Sequence, residues 1–107
     1  MKSLTKNYVE KSIEKTSTAL GSIGVVNEDA GKELLDMVQR YVSDAQHFLE
    51  KENLVAAFGA VEYAHGLLDA GVYAGFFRVL RNEELFVFRN AGTSVKNRSR
   101  SIGEKKG

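Results

Sequence analysis

The chain has 107 residues, enough for one domain with a single core, and 43% hydrophobic and 27% charged residues are typical of a globular protein. It contains no cysteine, which excludes disulfides, thiolate metal sites and thiol redox chemistry. We find no signal peptide and no apolar stretch of membrane-spanning length, and therefore expect a cytoplasmic protein without membrane contact.

The formal net charge of +1 hides an asymmetry along the chain. Residues 1–91 contain ten Lys and Arg against thirteen Asp and Glu. Residues 92–107 contain five basic residues against one acidic residue, with scarcely any apolar content. We therefore predict a helical domain over residues 1–91 and a flexible basic tail over residues 92–107.

The first predicted helix covers roughly residues 3–20. The absence of proline from the whole chain favours long, uninterrupted helices. Gly21 and Gly24 are expected to end this helix in a short loop. Its apolar positions at helical spacing are Leu4, Tyr8, Ile13, Thr16 and Leu20.

The second predicted helix has the clearest start signal. Asn27 is a suitable N-cap, and Glu28 and Asp29 fall in the first turn, where the helix dipole favours acidic side chains. An amphipathic pattern then continues to about residue 51. Its apolar stripe consists of Leu34, Val38, Tyr41, Val42, Ala45, Phe48 and Leu49.

The third predicted helix is capped by Asn53 and runs to about residue 75. The short link at residues 51–53 forces the second and third helices to lie antiparallel. The third helix is apolar nearly all round, which is typical of a central helix with more than one neighbour. The sequence therefore predicts an all-α, three-helix up-and-down bundle.

The segment from residue 76 to residue 91 allows two predictions. Two aromatic and β-branched runs, residues 76–80 and 85–88, flank a polar stretch and could form a small hairpin. Alternatively, the third helix continues and is followed by a short apolar cover over the bundle. The sequence does not decide between them.

A polar strip on the third helix is the first candidate site. Glu62, His65 and Asp69 follow one another at helical spacing, so they share one side of the helix. Two carboxylates and an imidazole could bind a metal or share a proton, but facing helices supply no matching second set of ligands. We favour a packing role, in which His65 hydrogen-bonds to a neighbouring helix, and we expect neither a metal nor a cofactor.

Small residues on the same helix form a candidate interface. Glycine within a soluble helix costs about 0.5–1 kcal/mol relative to alanine, so Gly59, Gly66 and Gly71 suggest close contacts. These contacts could lie within the bundle or between two copies in a homodimer. The candidate interface residues are Ala56, Ala60, Tyr63, Leu67, Ala70 and Ala74.

Two further features could contact nucleic acid. Arg40 and His47 resemble in spacing the RNase motif of HEPN domains, but helical geometry directs both away from the apolar stripe. The predicted tail could bind nucleic acid weakly and in a salt-dependent way, although no interleaved aromatic residues offer base stacking. Its basic residues are Lys96, Arg98, Arg100, Lys105 and Lys106.

The segment from Tyr63 to Gly71, YAHGLLDAG, carries a resemblance to a known family. With the run from Tyr41 to Lys51 and Ala57-Phe58, it resembles the archaeal domain of unknown function 357 over roughly residues 5–88. The resemblance implies a three-helix bundle in an archaeal, cytosolic setting and no assigned activity. The chain departs from it in having Glu52 where glycine is expected at the helix turn.

The function that the sequence favours is a non-enzymatic helical interaction module acting through the apolar face of the third helix, either as a homodimer or with another protein. The alternative is a nucleic-acid-associated or metal-dependent enzyme. It would use Glu62, His65 and Asp69, or Arg40 and His47.

Overall fold

The computed structural model describes residues 3–90 and a two-residue strand at 93–94. The helices are α1 (Lys6–Leu20), α2 (Glu28–Glu50) and α3 (Leu54–Ala74), which run up, down and up. Four short strands complete the fold: β1 (Ile23–Val25), β2 (Phe77–Val79), β3 (Phe88–Asn90) and β4 (Thr93–Ser94), with a 3-10 helix at Glu83–Leu85. The predicted all-α three-helix bundle is confirmed.

Side-chain caps set the start of every long helix. The Thr5 hydroxyl accepts a hydrogen bond from the Tyr8 amide at 3.1 Å at the start of α1. The Asn27 and Asn53 side chains accept from the amides three residues ahead, at 2.9 and 3.2 Å, at the starts of α2 and α3. Each cap satisfies a backbone donor that has no partner within its own helix, so local sequence fixes these boundaries.

The turn between α2 and α3 is tight and strained. The amide of Asn53 donates to the carbonyl of Phe48, and that of Glu52 to the carbonyl of Leu49, both at 2.9 Å. This pairing is the Schellman motif, which needs a left-handed residue at the position of Glu52. Glu52 has φ 61°, a conformation that glycine adopts with less strain. The departure from the expected glycine thus falls at the one position of this turn where glycine is favoured.

The core has two apolar clusters along the bundle. One lies towards the α2–α3 turn and consists of Val9, Ile13, Ala45, Ala57 and Val61. The other lies towards the opposite end and consists of Ala19, Val38, Val42, Ala64, Leu68, Val72, Phe77 and Phe86. All three helices contribute to both clusters, so each of them runs through both halves of the core.

The buried side of α1 differs from the prediction. Tyr8, which the pattern assigned to the core, is 56% exposed, and its neighbour Val9 is fully buried. Ala19 is also fully buried, in the position predicted for Leu20. The Tyr8 ring instead lies across Phe58 of α3, with the ring centroids 5.8 Å apart. The predicted stripe is therefore correct at Ile13 and Thr16, which are buried, and wrong at Tyr8, where the neighbouring Val9 takes the core position.

Both predictions for residues 76–91 were wrong in their main feature. Helix α3 ends at Gly75, whose φ of 86° stops a helical continuation. Strand β2 then pairs antiparallel with β1, with Val25 opposite Phe77, and not with residues 85–88. The segment after α1, which was predicted to be a loop with Gly21 and Gly24, therefore contains strand β1 at Gly24. The apolar cover itself is present, because Phe77 and Phe86 are buried against the bundle.

Phe77 and Gly71 explain how the ribbon of β1 and β2 lies so close to α3. Phe77 is the largest fully buried side chain, at 2% exposure. A Cβ added at Gly71 would collide with the Phe77 ring and lie 2.9 Å from Leu34 Cδ2. Gly71 is thus required by a close contact within the chain. Of the two interpretations of the α3 glycines, contacts within the bundle or between two copies, the first applies to Gly71.

The predicted tail falls almost entirely outside the described residues. Only β4 lies within it, paired antiparallel with β3, with Phe88 opposite Ser94. The basic residues Lys96, Arg98, Arg100, Lys105 and Lys106 lie beyond the described part of the chain.

Candidate functional site

The polar strip of α3 faces the C-terminal segment and α1. The Nε2 atom of His65 lies 2.8 Å from the Leu85 carbonyl oxygen, and its Nδ1 atom lies 2.8 Å from the Thr16 hydroxyl. Because a carbonyl oxygen can only accept, Nε2 carries a proton and donates to it. In the neutral imidazole Nδ1 then accepts from the Thr16 hydroxyl, so both ring nitrogens are used within the chain.

The two carboxylates of the strip differ in their surroundings. Asp69 Oδ1 accepts a hydrogen bond from the Val87 amide at 2.9 Å. Glu62 is exposed. His65 and Asp69 therefore hold the end of the 3-10 helix and the segment after it against α3. Glu62 makes no side-chain hydrogen bond or ion pair within the part of the chain that the structure describes. These bonds fit the packing role expected for the strip.

The described residues contain no group of three or more His, Cys, Asp and Glu side chains arranged to hold a metal ion. Within the strip, both ring nitrogens of His65 are bonded to Thr16 and Leu85, and neither bonds to a carboxylate. A shared proton between an imidazole and a carboxylate needs direct contact or a bridging water. No direct contact of this kind is present among the residues of the strip.

Arg40 and His47 do not converge in the structure. Arg40 Nε pairs with Asp36 Oδ2 at 3.2 Å on the exposed surface of α2. His47 is exposed one residue before Phe48, whose ring centroid lies 6.1 Å from that of the imidazole. The depression beside Arg40 is lined by other residues and does not include His47. The spacing that resembles an RNase motif is therefore not accompanied by a shared cleft.

The surface depressions of the described residues are open to solvent. One of them is a groove of about 500 Å³ between α1 and α2, lined by Ile13 and Leu49 and by the carboxylates of Glu10, Glu14 and Glu50. Its other polar groups are the Ser17 hydroxyl and the Gln46 amide, and no basic residue lines the groove. We assign no chemistry to this groove.

The predicted interface residues divide into covered and free positions. Ala56, Ala60 and Leu67 are half-buried, and Leu67 packs against the core. Ala70 and Ala74 are exposed. Tyr63 is 52% exposed and meets the Tyr41 ring of α2 edge-on, with centroids 4.7 Å apart. Helix α2 thus covers one side of the predicted interface within the same chain.

The free surface of α3 lies directly opposite the buried positions of the helix, and Tyr63, which contacts Tyr41 of α2, marks its edge on that side. With about 100° between successive residues, this surface lies on the far side from Ala57, Val61, Ala64 and Leu68. We call it the outer face of α3. It consists of Val55, Gly59, Tyr63, Gly66, Ala70 and Tyr73.

The outer face is apolar where a surface helix is usually charged. Val55 is 76% exposed and Tyr73 is 53% exposed. A Cβ added at Gly59 or at Gly66 would meet nothing within 4 Å. These two glycines therefore have no packing reason within the described chain, in contrast to Gly71. The sequence already indicated close contacts at Gly59 and Gly66, but the predicted interface omitted Val55 and Tyr73 because it was centred on the side that α2 covers.

Comparison with known proteins identifies a family for the chain. None of the described helices is both long and apolar enough to cross a membrane. Neither the curated proteins nor the solved structures give a significant match to the chain. The family model described as a protein of unknown function (DUF357) matches residues 6–77, which include all three helices and strand β1. Because this match covers well over half of the chain, the protein belongs to the DUF357 family.

Proposed function

We propose that this protein is a non-enzymatic interaction module that self-associates through the outer face of α3. The observation that carries the proposal is the pair Gly59 and Gly66, which open onto empty space on either side of the half-exposed Tyr63. Each glycine weakens the helix by about 0.5–1 kcal/mol relative to alanine. A close-packed partner helix supplies a compensating reason for both.

The charge of the outer face supports an apolar partner. None of its six residues is ionisable at neutral pH, and Glu62 is the charged side chain at its edge. A surface of this kind offers nothing to a phosphate backbone, since such binding needs several cationic side chains. A second copy presents a matching neutral surface and introduces no like-charge repulsion at its centre.

The proposed test is a charge placed in the outer face. Ala70 is exposed, so Ala70→Glu should leave the bundle folded, whereas a charge at the half-buried Leu67 would also disturb the core. We expect light scattering to show a concentration-dependent dimer for the wild type and a monomer for Ala70→Glu. Gln39→Glu, on the exposed surface of α2, is the matched control and should associate like the wild type. Equal association of all three proteins would refute the proposal.

The tail provides a second, weaker proposal. Its five basic residues against one acidic residue favour weak, salt-dependent contact with nucleic acid. Deleting residues 92–107 should abolish any gel shift seen at low salt, and an unchanged shift would eliminate the tail as its cause. On the family resemblance, we also propose that the protein is archaeal and acts in the cytoplasm. No observation favours the enzymatic alternative.

A further inference from the structure

Residues 83–90, which we call the strap, are attached to α3 in the way that a bound peptide is attached to a groove. At Phe86 the backbone is extended, with φ -119° and ψ 150°, and its side chain is 3% exposed. The carbonyl before Phe86 accepts a hydrogen bond from His65, and the amide after it donates to Asp69. One buried ring and the backbone groups on either side of it therefore anchor the strap.

The spacing of His65 and Asp69 suits an extended backbone. The two residues are four apart on α3, so they lie on one side of the helix with a rise of about 6 Å between them. Two residues of extended chain rise by about 6.6 Å. Helix α3 thus offers one donor and one acceptor to extended backbone, as the edge of a sheet does. In such binding the main-chain bonds give affinity, and a pocket for a side chain gives specificity.

Helix α1 adds a charge preference to this groove. Lys11 and Lys15 line the same surface depression as Glu84 of the strap. Glu14 also lines it, so α1 contributes two cations and one anion there. Glu84 lies two residues before Phe86 in the sequence. An acidic residue two positions before the buried ring is therefore favoured in any segment that occupies the groove.

The groove and the strap differ in their relation to the family. His65 and Asp69 lie within residues 6–77, which the family model matches, whereas the strap follows this range. We propose that the groove between α1 and α3 binds an extended segment of another protein, with an acidic residue two positions before an aromatic one. The strap is then a built-in competitor for this partner. Because His65 and Asp69 are not part of the outer face, this binding does not depend on self-association.

The competition has a measurable consequence. The strap is tethered beside the groove, so its effective concentration there is high. A free peptide binds only the fraction of molecules whose strap is displaced, and its apparent affinity falls in proportion to that fraction. Loosening the strap should therefore strengthen the binding of a peptide in trans.

The probe is a fluorescent peptide with the sequence of residues 83–90, titrated with the full chain and followed by fluorescence anisotropy. We expect Phe86→Ala, which removes the ring of the strap, to bind it at least about tenfold more tightly than the wild type. The same peptide carrying the Phe86→Ala substitution should bind neither protein. Equal binding of the two peptides, or no binding to the Phe86→Ala chain at about 1 mM, would overturn the proposal.

A second variant covers the case in which Phe86→Ala does not fold, as judged by circular dichroism. Val87→Pro keeps the ring but removes the amide that donates to Asp69. It should also bind the peptide more tightly than the wild type does. If only this variant is folded, its failure to bind the peptide more tightly overturns the proposal.

Two substitutions added to the strap-loosened variant locate the binding site. Asp69→Ala should weaken peptide binding about tenfold, because the acceptor for the peptide amide is lost. Lys15→Glu should weaken it about threefold, whereas Lys32→Glu should not. Lys32 pairs with Glu28 on the exposed surface of α2 and gives the matched charge control. Unchanged binding in Asp69→Ala would overturn the site, and equal effects of the two lysine variants would overturn the acidic preference.

Nuclear magnetic resonance tests displacement of the strap in the wild-type chain. With 15N-labelled protein and the unlabelled peptide, the signal of the Val87 amide reports on its bond to Asp69. We expect this signal to move, as peptide is added, towards its position in Phe86→Ala. Peptide binding that leaves the Val87 signal unmoved would overturn the proposal, because the peptide would then occupy a different surface.

Discussion

The three glycines of α3 should respond in opposite directions to the same substitution. Gly59 and Gly66 open onto free space, whereas Gly71 lies against Phe77 and Leu34. Alanine has the higher helix propensity, by about 0.5–1 kcal/mol, because glycine loses more backbone entropy on folding. Where space is free, this gain should appear in full.

For Gly66→Ala we therefore expect the free energy of unfolding to rise by about 0.5–1 kcal/mol, which corresponds to several degrees in Tm for a domain of this size. Gly59→Ala should do the same. For Gly71→Ala, the added Cβ meets the ring of Phe77, which is 2% exposed and has no room to move. Overpacking of this kind typically costs about 1–3 kcal/mol, so we expect a net loss of about 1–2 kcal/mol.

Urea denaturation followed by circular dichroism measures these differences. The protein should be kept at a few micromolar, below the range in which we expect dimers, so that self-association does not contribute. A Gly66→Ala variant less stable than the wild type would refute the placement of Gly66 on an open surface. A Gly71→Ala variant as stable as Gly66→Ala would refute the close contact between α3 and the ribbon of β1 and β2.

Two further predictions concern the turn and the polar strip. Glu52→Gly should raise the free energy of unfolding by about 0.5–1 kcal/mol. A left-handed residue other than glycine costs about 1–2 kcal/mol, and the larger backbone entropy that glycine loses on folding offsets part of this gain. Thermal denaturation measures the change, and the control variant Lys51→Gly should instead lower Tm. His65→Ala should lower stability by about 1–3 kcal/mol, because it leaves the half-buried Thr16 and Leu85 contacts without a partner. Hydrogen exchange of the His65→Ala variant should then show loss of protection at residues 83–90. Asp69→Ala should show the same loss, because it removes the hydrogen bond to the Val87 amide. Unchanged protection in both variants would contradict the role of the polar strip in holding this segment against α3.

The helices could be predicted from the sequence because their signals are local. Asn27 and Asn53 cap the amides three residues ahead, and the amphipathic pattern of α2 continues for its whole length. The buried side of α1 was harder to predict. Tyr8 and Val9 are adjacent and both apolar enough for the core, so periodicity alone cannot choose between them, and the structure buries Val9.

The ribbon of β1 and β2 could not be predicted, for a different physical reason. Its strands have three residues each, too few for a recognisable alternating pattern, and they pair across about half of the chain. What stabilises the pairing is the burial of Phe77 against Gly71, a contact between distant elements. The same limit applies to the outer face of α3. The residues themselves were visible in the sequence, but which of them α2 covers depends on the packing of the bundle.

Sedimentation equilibrium of the wild-type protein is the most direct test of the central claim, that the outer face of α3 binds a second copy. Loading concentrations should extend from about 10 μM to about 1 mM, the range in which a small apolar interface is expected to dissociate. We predict a mass that rises from that of one 11.8 kDa chain towards twice that value. A single-chain mass throughout this range would contradict the claim.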